Sequence, residues 1–206
     1  MLKVWGRRNS NNVQKVLWLC EEIGLEYDHE DAGGEFGRTR DPDMLARNPN
    51  AVVPTIEDDG FVLWESNVIL RYLASKYGPE EIYPVALTSR ADVERWMDWQ
   101  QTTLAPEMRT VFWGLIRTPA RERNHGAIEK SVENLKSIWI HLDQHLRDQP
   151  FVAGDRLTIG DIPVGAMCYR YYALDIDHAH LEHLVSWYKR LKTRKAFSQH
   201  VMLPLT

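Results

Sequence analysis

Leu2, Val4 and Trp5 form a short apolar run, cut by Gly6 and a polar stretch from Arg7 to Asn12, which predicts a strand and then a loop. Val13, Val16, Leu17 and Cys20 recur at helical spacing, and Gly24 stands where a left-handed turn ends a helix. Glu26 to Glu30 can form a second strand, whereas residues 31–50 read as irregular, punctuated by Gly33, Gly34, Gly37, Pro42 and Pro49. Val52 to Glu57 and Phe61 to Trp64 read as strands flanking Asp58-Asp59-Gly60. Asp-Gly between apolar runs is a strong hairpin signal, because both residues tolerate positive φ. Val68, Ile69, Tyr72 and Leu73 then share one helix face, and Gly78-Pro79 stops that helix.

From Ser89 onward the period is helical throughout. Ile128, Val132, Leu135, Trp139, Leu142 and Leu146 make one continuous stripe for burial. Residues 79–88, with Pro79 and Pro84, are the natural linker. The pattern predicts a small α/β domain over residues 1–78 and an all-helical domain over residues 89–206.

Composition narrows the function classes. The 206 residues are 44% hydrophobic and 26% charged, enough to bury a core in one domain or two. Lysine plus arginine number 25 against 29 for aspartate plus glutamate, a net charge of −4. That balance gives no general attraction to nucleic acid or to an acidic membrane surface. No apolar run approaches the ~20 residues that cross a bilayer, and the first residues lack the pattern of a signal peptide. Cys20 and Cys168 cannot make a disulfide framework or a four-cysteine zinc site. These features predict a soluble cytoplasmic protein.

Three short motifs carry candidate chemistry. In Ala51-Val52-Val53-Pro54-Thr55, the proline opens a strand; it is either an ordinary edge proline or a cis one. A cis Val53-Pro54 bond would turn the Val53 N–H and C=O outward, where a peptide-like ligand could pair as an extra strand. Glu65-Ser66 lies where a strand turns into a helix. It is either a simple cap or a holder for an amino-acid headgroup, with Ser66 on the carboxylate and Glu65 on the ammonium. Asn9-Ser10-Asn11-Asn12 opens the first helix, and Ser10 or Asn12 either caps it or donates to an anion such as a thiolate. Lowering a thiol pKa by about two units needs roughly 2.7 kcal/mol, within reach of one charge-assisted hydrogen bond plus a helix end.

Together these pieces resemble the cytosolic glutathione transferase superfamily over essentially the whole chain. The placement of Ser10 is similar to the serine-type, theta-like enzymes, and that of Asn12 to asparagine-dependent, nu-like bacterial members. The resemblance implies a thioredoxin-like N-terminal domain and a helical-bundle C-terminal domain. It implies a cis Pro54, with Val53 pairing the cysteinyl backbone of glutathione, and Glu65 and Ser66 holding the γ-glutamyl group. Ser10 and Asn12 are then the candidate catalytic residues. Thr158-Ile159-Gly160-Asp161 matches the family's capping box, with Leu157 and Ile162 as its staple, and serves folding. The family often has a basic residue where this chain has Val52, so Arg38 or Arg40 becomes the candidate for the glycyl carboxylate. Trp113 and Arg117 are the candidates for an electrophile pocket.

The expected activity is attack of the glutathione thiolate on a small hydrophobic electrophile, a peroxide or a disulfide. Glutathione is the co-substrate, with no permanently bound cofactor, and the resemblance implies a homodimer. The rival reading is a non-catalytic ligand-binding or interaction protein on the same fold. His141 and His145 are spaced as helix-borne metal ligands can be, but no third ligand is evident, so no metal is expected. His178, His180 and His183 read as a solvated loop. Lys189, Arg190, Lys192, Arg194 and Lys195 suit a helix C-terminus, and Cys20 suits the interior.

Overall fold

A computed structural model describes residues 1–206. The first part of the chain runs β1 (Leu2–Trp5), α1 (Asn11–Glu22), β2 (Tyr27–Glu30), α2 (Pro42–Arg47), β3 (Thr55–Asp58), β4 (Phe61–Trp64) and α3 (Ser66–Tyr77). The rest is helical: α4 (Leu87–Trp99), α5 (Ala105–Phe112), α6 (His125–His145), α7 (Asp161–Ala173), α8 (Glu182–Lys192) and α9 (Lys195–His200). Short π-helical turns, Gln100–Leu104 and Trp113–Arg117, flank α5.

The four strands form one sheet in the order β2-β1-β3-β4. β1 lies parallel to β2 and antiparallel to β3, so Val4 sits between His29 and Ile56. β3 pairs antiparallel with β4, with Asp58 opposite Phe61 and only Asp59-Gly60 in the loop. Both loop residues have positive φ, 49° and 88°, as the Asp-Gly signal requires. Gly24, at φ 65°, ends the first helix as its position predicts.

Two features of the first part differ from the sequence expectation. Residues 31–50 are not wholly irregular, because α2 lies within them. Asp41 stands at its N-cap position, Pro42 opens its first turn, and Arg47 closes its last. Only Met44 of this helix is buried, packed with Trp5 and Ala32, so no apolar stripe announced it. β3 begins at Thr55 and not at Val52. Pro54 has no N–H to give a ladder, and its peptide bond with Val53 is cis. Ala51 to Pro54 therefore run as a loop.

α1 is buried on nearly every side, between the sheet with α3 on one flank and α7 with α9 on the other. The approach of α7 is close: a Cβ on Gly165 would lie 2.7 Å from a Leu191 methyl and 3.0 Å from the Trp18 ring. Trp18 meets Phe197 edge-on at 4.8 Å, and Arg194 grips Glu22 through two bonds of 2.8 and 2.6 Å. The stripe from Ile128 to Leu146 is buried along its whole length. One continuous apolar core thus runs from the sheet into the helices and holds the α1 N-terminus rigidly against α7.

Asp161 anchors the start of α7. Its Oδ1 accepts from Val152 N (3.0 Å) and Trp187 Nε1 (2.9 Å); its Oδ2 accepts from Thr158 N (2.9 Å) and Thr158 Oγ1 (3.1 Å). This is the return half of the predicted capping box. Burial raises the Asp161 pKa, while those four donors favour its charged form. Leu157 and Ile162 are both buried beside it.

Cys20 is fully buried, with its thiol pushed up by burial to about 12. His141 and His145 each meet a backbone carbonyl, that of Ser137 and that of Val152. The predicted solvated histidine loop is only partly that. His178 is half-buried, bonded to the Tyr171 carbonyl at 2.7 Å and set edge-on against that ring, and His183 lies within α8. Lys189, Arg190 and Lys192 fill the last turn of α8, whereas Arg194 and Lys195 reach across to Glu22 and Glu21. No helix is long and apolar enough to cross a membrane.

Candidate active site

A cavity of about 510 Å³ opens where the α1 N-terminus, the Ala51–Val53 loop, the start of α3 and helices α5 and α7 converge. Ser10, Asn12, Val53, Glu65, Ser66, Trp113 and Arg117 all line it, so seven of the sequence-predicted site residues come together. Arg38 and Arg40 do not. Both are exposed, and Arg38 is turned to Glu30 at 3.1 Å, because the Gly37–Arg38 turn, at φ 60° and 67°, carries them to the outer surface. Pro54 lies buried next to Val53.

Ser10 occupies the N-cap position of α1, with extended φ and ψ, and its carbonyl accepts from Gln14 N at 2.9 Å. Its hydroxyl makes no capping bond, so the capping alternative does not use it. Asn12 is exposed in the first turn. Between them, Asn11 is buried with both its amide nitrogen and its amide oxygen unpartnered, and it lines the cavity. Buried polar groups without partners are rare and point to a missing ligand or water. The sequence reading passed over Asn11, because a run of four polar residues, Asn9 to Asn12, gives no sign of which one turns inward.

Glu65 holds a left-handed conformation, φ 72°, at the cap position of α3, while Ser66 enters the first turn and is buried. A non-glycine residue there stores about 1–2 kcal/mol, a cost typical of residues kept for a site. Neither the N–H nor the C=O of Val53 is taken up by a backbone partner.

The largest surprise is Lys15. It lies one turn beyond Asn11 on α1, is only 3% exposed, and forms part of the cavity floor. Its Nζ donates to Ser66 Oγ (3.3 Å), Asn67 Oδ1 (3.2 Å) and Gln100 Oε1 (3.3 Å), all neutral acceptors. Burial, helped by the Arg170 cation and opposed by Glu65, brings its pKa down to about 7. Asn67 in turn donates to the Met97 carbonyl at 3.0 Å, tying α3 to α4. The sequence reading passed over Lys15, whose partners Ser66, Asn67 and Gln100 come from α3 and the turn after α4, far along the chain.

The cavity is strongly cationic. Arg7, Lys15, Arg109, Arg117 and Arg170 line it, against the single carboxylate of Glu65. Burial lowers the pKa of Arg170 to about 9, with Arg117 and Arg7 adding to the effect. Free hydroxyl and amide donors stand at a helix N-terminus among these cations, an environment that favours anions over neutral groups.

Comparison with known proteins agrees with this geometry. Residues 1–75 match the family described as glutathione S-transferase, N-terminal domain, and residues 125–190 match its C-terminal domain. The chain is 39% identical over 208 residues to glutathione S-transferase GstB of Escherichia coli K12, covering 100% of both. The chain belongs to the glutathione S-transferase family. Glutathione S-transferase 4 of Zea mays is 30% identical over 95% of this chain and 89% of its own. A theta class glutathione S-transferase from Xanthomonas axonopodis pv. citri, solved with glutathione bound, superposes with a TM-score of 0.96. It is 44% identical over 100% of this chain and 99% of its own. The sheet with its helices is therefore the family's thioredoxin-like unit, followed by the family's helical domain.

Proposed function

We propose that this glutathione S-transferase family member binds glutathione in the cavity above and uses its thiolate against an electrophilic second substrate. The observation that carries this reading is the convergence of Ser10, Val53, Glu65 and Ser66 on one cationic cavity. A glutathione-bound structure of a 44% identical theta class relative supports it. In this reading the Val53 N–H and C=O pair the cysteinyl backbone as an added strand. Ser66 donates to the γ-glutamyl carboxylate, Lys15 beneath it supplies the countercharge, and Glu65 takes the ammonium. Ser66 Oγ accepts from Lys15, which leaves its own proton for the ligand.

Arg7 takes the role first given to Arg38 or Arg40. It lies against Gly34 and lines the cavity, which supports its reading as the cation for the glycyl carboxylate. The thiol then falls near Ser10 and Asn12, where a rotatable hydroxyl and an amide donate to the developing anion. Trp113 and Arg117 border the space left for the electrophile. The thiolate forms the new bond to the electrophilic carbon as the leaving group departs with its electron pair. The protein supplies no redox group, because glutathione provides the reactive atom.

The division into units 1–78 and 89–206 about a linker at 79–88, a cytoplasmic location and a homodimer belong to the same proposal. The large apolar side chains Phe61, Trp64 and Val68, half exposed on neighbouring β4 and α3, support self-association. Light scattering should return twice the 24.0 kDa chain mass, and a 24.0 kDa particle at micromolar concentration would remove the dimer. A calorimetric titration with glutathione, then a panel of haloaromatic, peroxide and disulfide substrates, tests the rest. Binding without turnover on any of them would support the non-catalytic rival.

A further inference from the structure

The assignments above leave three cavity arginines without a ligand, Arg109, Arg117 and Arg170, all on the helical wall, and the last two share one aromatic ring. Arg117 lies with its guanidinium carbon 4.9 Å from the Trp113 ring centre and 5.2 Å from that of Phe112. Arg170 covers Phe112 at 4.2 Å. Neither meets a carboxylate side chain. Arg117 donates through Nε and Nη2 to the backbone oxygen of Thr206, at 3.3 and 3.2 Å. Arg170 donates through Nη2 to the Asn9 carbonyl at 3.2 Å, and its Nε is buried with no partner at all.

Like charges gathered in a partly buried wall cost stability: burial lowers the pKa of both groups, Arg7 adding to the effect on Arg117, and Arg117 with Arg7 adding to that on Arg170. No aspartate or glutamate side chain pairs with Arg117 or Arg170, although the chain has 29 of them. Both guanidiniums lie on aromatic faces in the cavity wall, and a planar guanidinium is suited to bidentate contact with a planar anion.

We infer that the second-substrate half of the cavity takes an electrophile that itself carries an anionic group, a carboxylate or sulfonate on a flat body. Phe112 and Trp113 cover the body, and Arg117 with Arg170 pairs the charge. This rests on the glutathione reading and narrows its second substrate from a hydrophobic electrophile to an organic acid. The step is a substitution: the thiolate sulfur bonds to the ring carbon, the halide leaves with its electron pair, and the thiol proton goes to solvent.

The test compares chlorodinitrobenzoate with its uncharged methyl ester, each corrected for its uncatalysed rate. Wild-type protein, Arg117→Gln and Arg117→Lys are measured, with glutathione affinity determined separately by calorimetry. Arg117 is only half-buried at the cavity mouth, so both variants are expected to fold; circular dichroism checks this. Wild type should favour the acid over the ester in kcat/KM. Arg117→Gln should cut that ratio by about tenfold or more, chiefly through KM for the acid, and Arg117→Lys should restore part of it. A wild type that prefers the ester, or a ratio unmoved in Arg117→Gln while glutathione still binds, overturns the inference alone. A fall confined to glutathione affinity reassigns Arg117 to glutathione and also overturns it. Failure of wild type to bind glutathione overturns the underlying reading and this inference with it.

Discussion

Replacing Lys15 by methionine removes the one cation buried directly beneath Ser66, and the consequence can be read as protons. In the empty cavity burial holds the Lys15 pKa near its lowered value, about 7. At pH 8 the side chain then carries only about one-tenth of a proton, since each unit of difference is a factor of ten. A γ-glutamyl carboxylate arriving at Ser66 favours the charged form, and an adjacent opposite charge moves a pKa by about 1–3 units. A rise of about two units leaves Lys15 roughly nine-tenths protonated, so binding takes up about 0.8 proton per site at pH 8. Calorimetry with S-methylglutathione in buffers of different ionisation enthalpy measures that uptake without interference from the thiol. The ligand's amino group also gains part of a proton beside Glu65, equally in both proteins, so the difference between wild type and Lys15→Met isolates Lys15. The free protein gives a second readout. A lysine titrating lower in the folded chain than in the unfolded one makes the unfolded chain bind more protons between the two values. Stability should therefore rise with pH from about 7 toward 10.5, by up to about 1.4 kcal/mol per unit, and Lys15→Met should lack that slope. Equal proton uptake by the two proteins would refute the placement of the carboxylate over Lys15.

Ser66→Ala should raise KM for glutathione by roughly ten- to a hundredfold with little change in kcat, because the lost bond of about 1.5–3 kcal/mol is made alike in ground and transition states; steady-state kinetics shows otherwise if kcat falls and KM stays. Asp161→Ala strips four buried donors of their acceptor and should lower unfolding free energy by about 3–5 kcal/mol in urea melts, and a loss under 1 kcal/mol would contradict its anchoring role. Gly165→Val should be equally severe, since its added carbons meet Leu191 and Trp18, and thermal melts unchanged from wild type would show that α1 and α7 can part there.

The periodic parts of this chain were legible in its sequence. The Asp59-Gly60 hairpin, the Gly24 stop and the long α6 stripe each rest on a local rule that the tertiary structure leaves intact. The errors occur where burial is decided by distant partners. α2 has a single buried side chain, Met44, so periodicity cannot reveal it, although Asp41-Pro42 was a start signal. The Ser10, Val53 and Glu65-Ser66 motifs converge as their order implied. The charges around them do not follow from order: Arg38 turns outward at a positive φ, and Arg7 takes its wall. Lys15 becomes part of the site because α3 and Gln100 close over it, and Arg170 because α7 packs on α1 with Gly165 against Trp18; no motif announces either.

The pKa of the glutathione thiol, followed by thiolate absorbance against pH with the tripeptide bound, tests the central claim most directly. Bound to wild type, the thiol should titrate about two units below its ordinary value near 8.5. Ser10→Ala should return roughly one to two of those units, and Asn12→Ala fewer, since the Ser10 hydroxyl can rotate to meet the sulfur. A larger recovery in Asn12→Ala would transfer the leading role to the amide. A wild-type curve that overlies free glutathione, with the ligand shown to be bound, would contradict thiolate activation at this site.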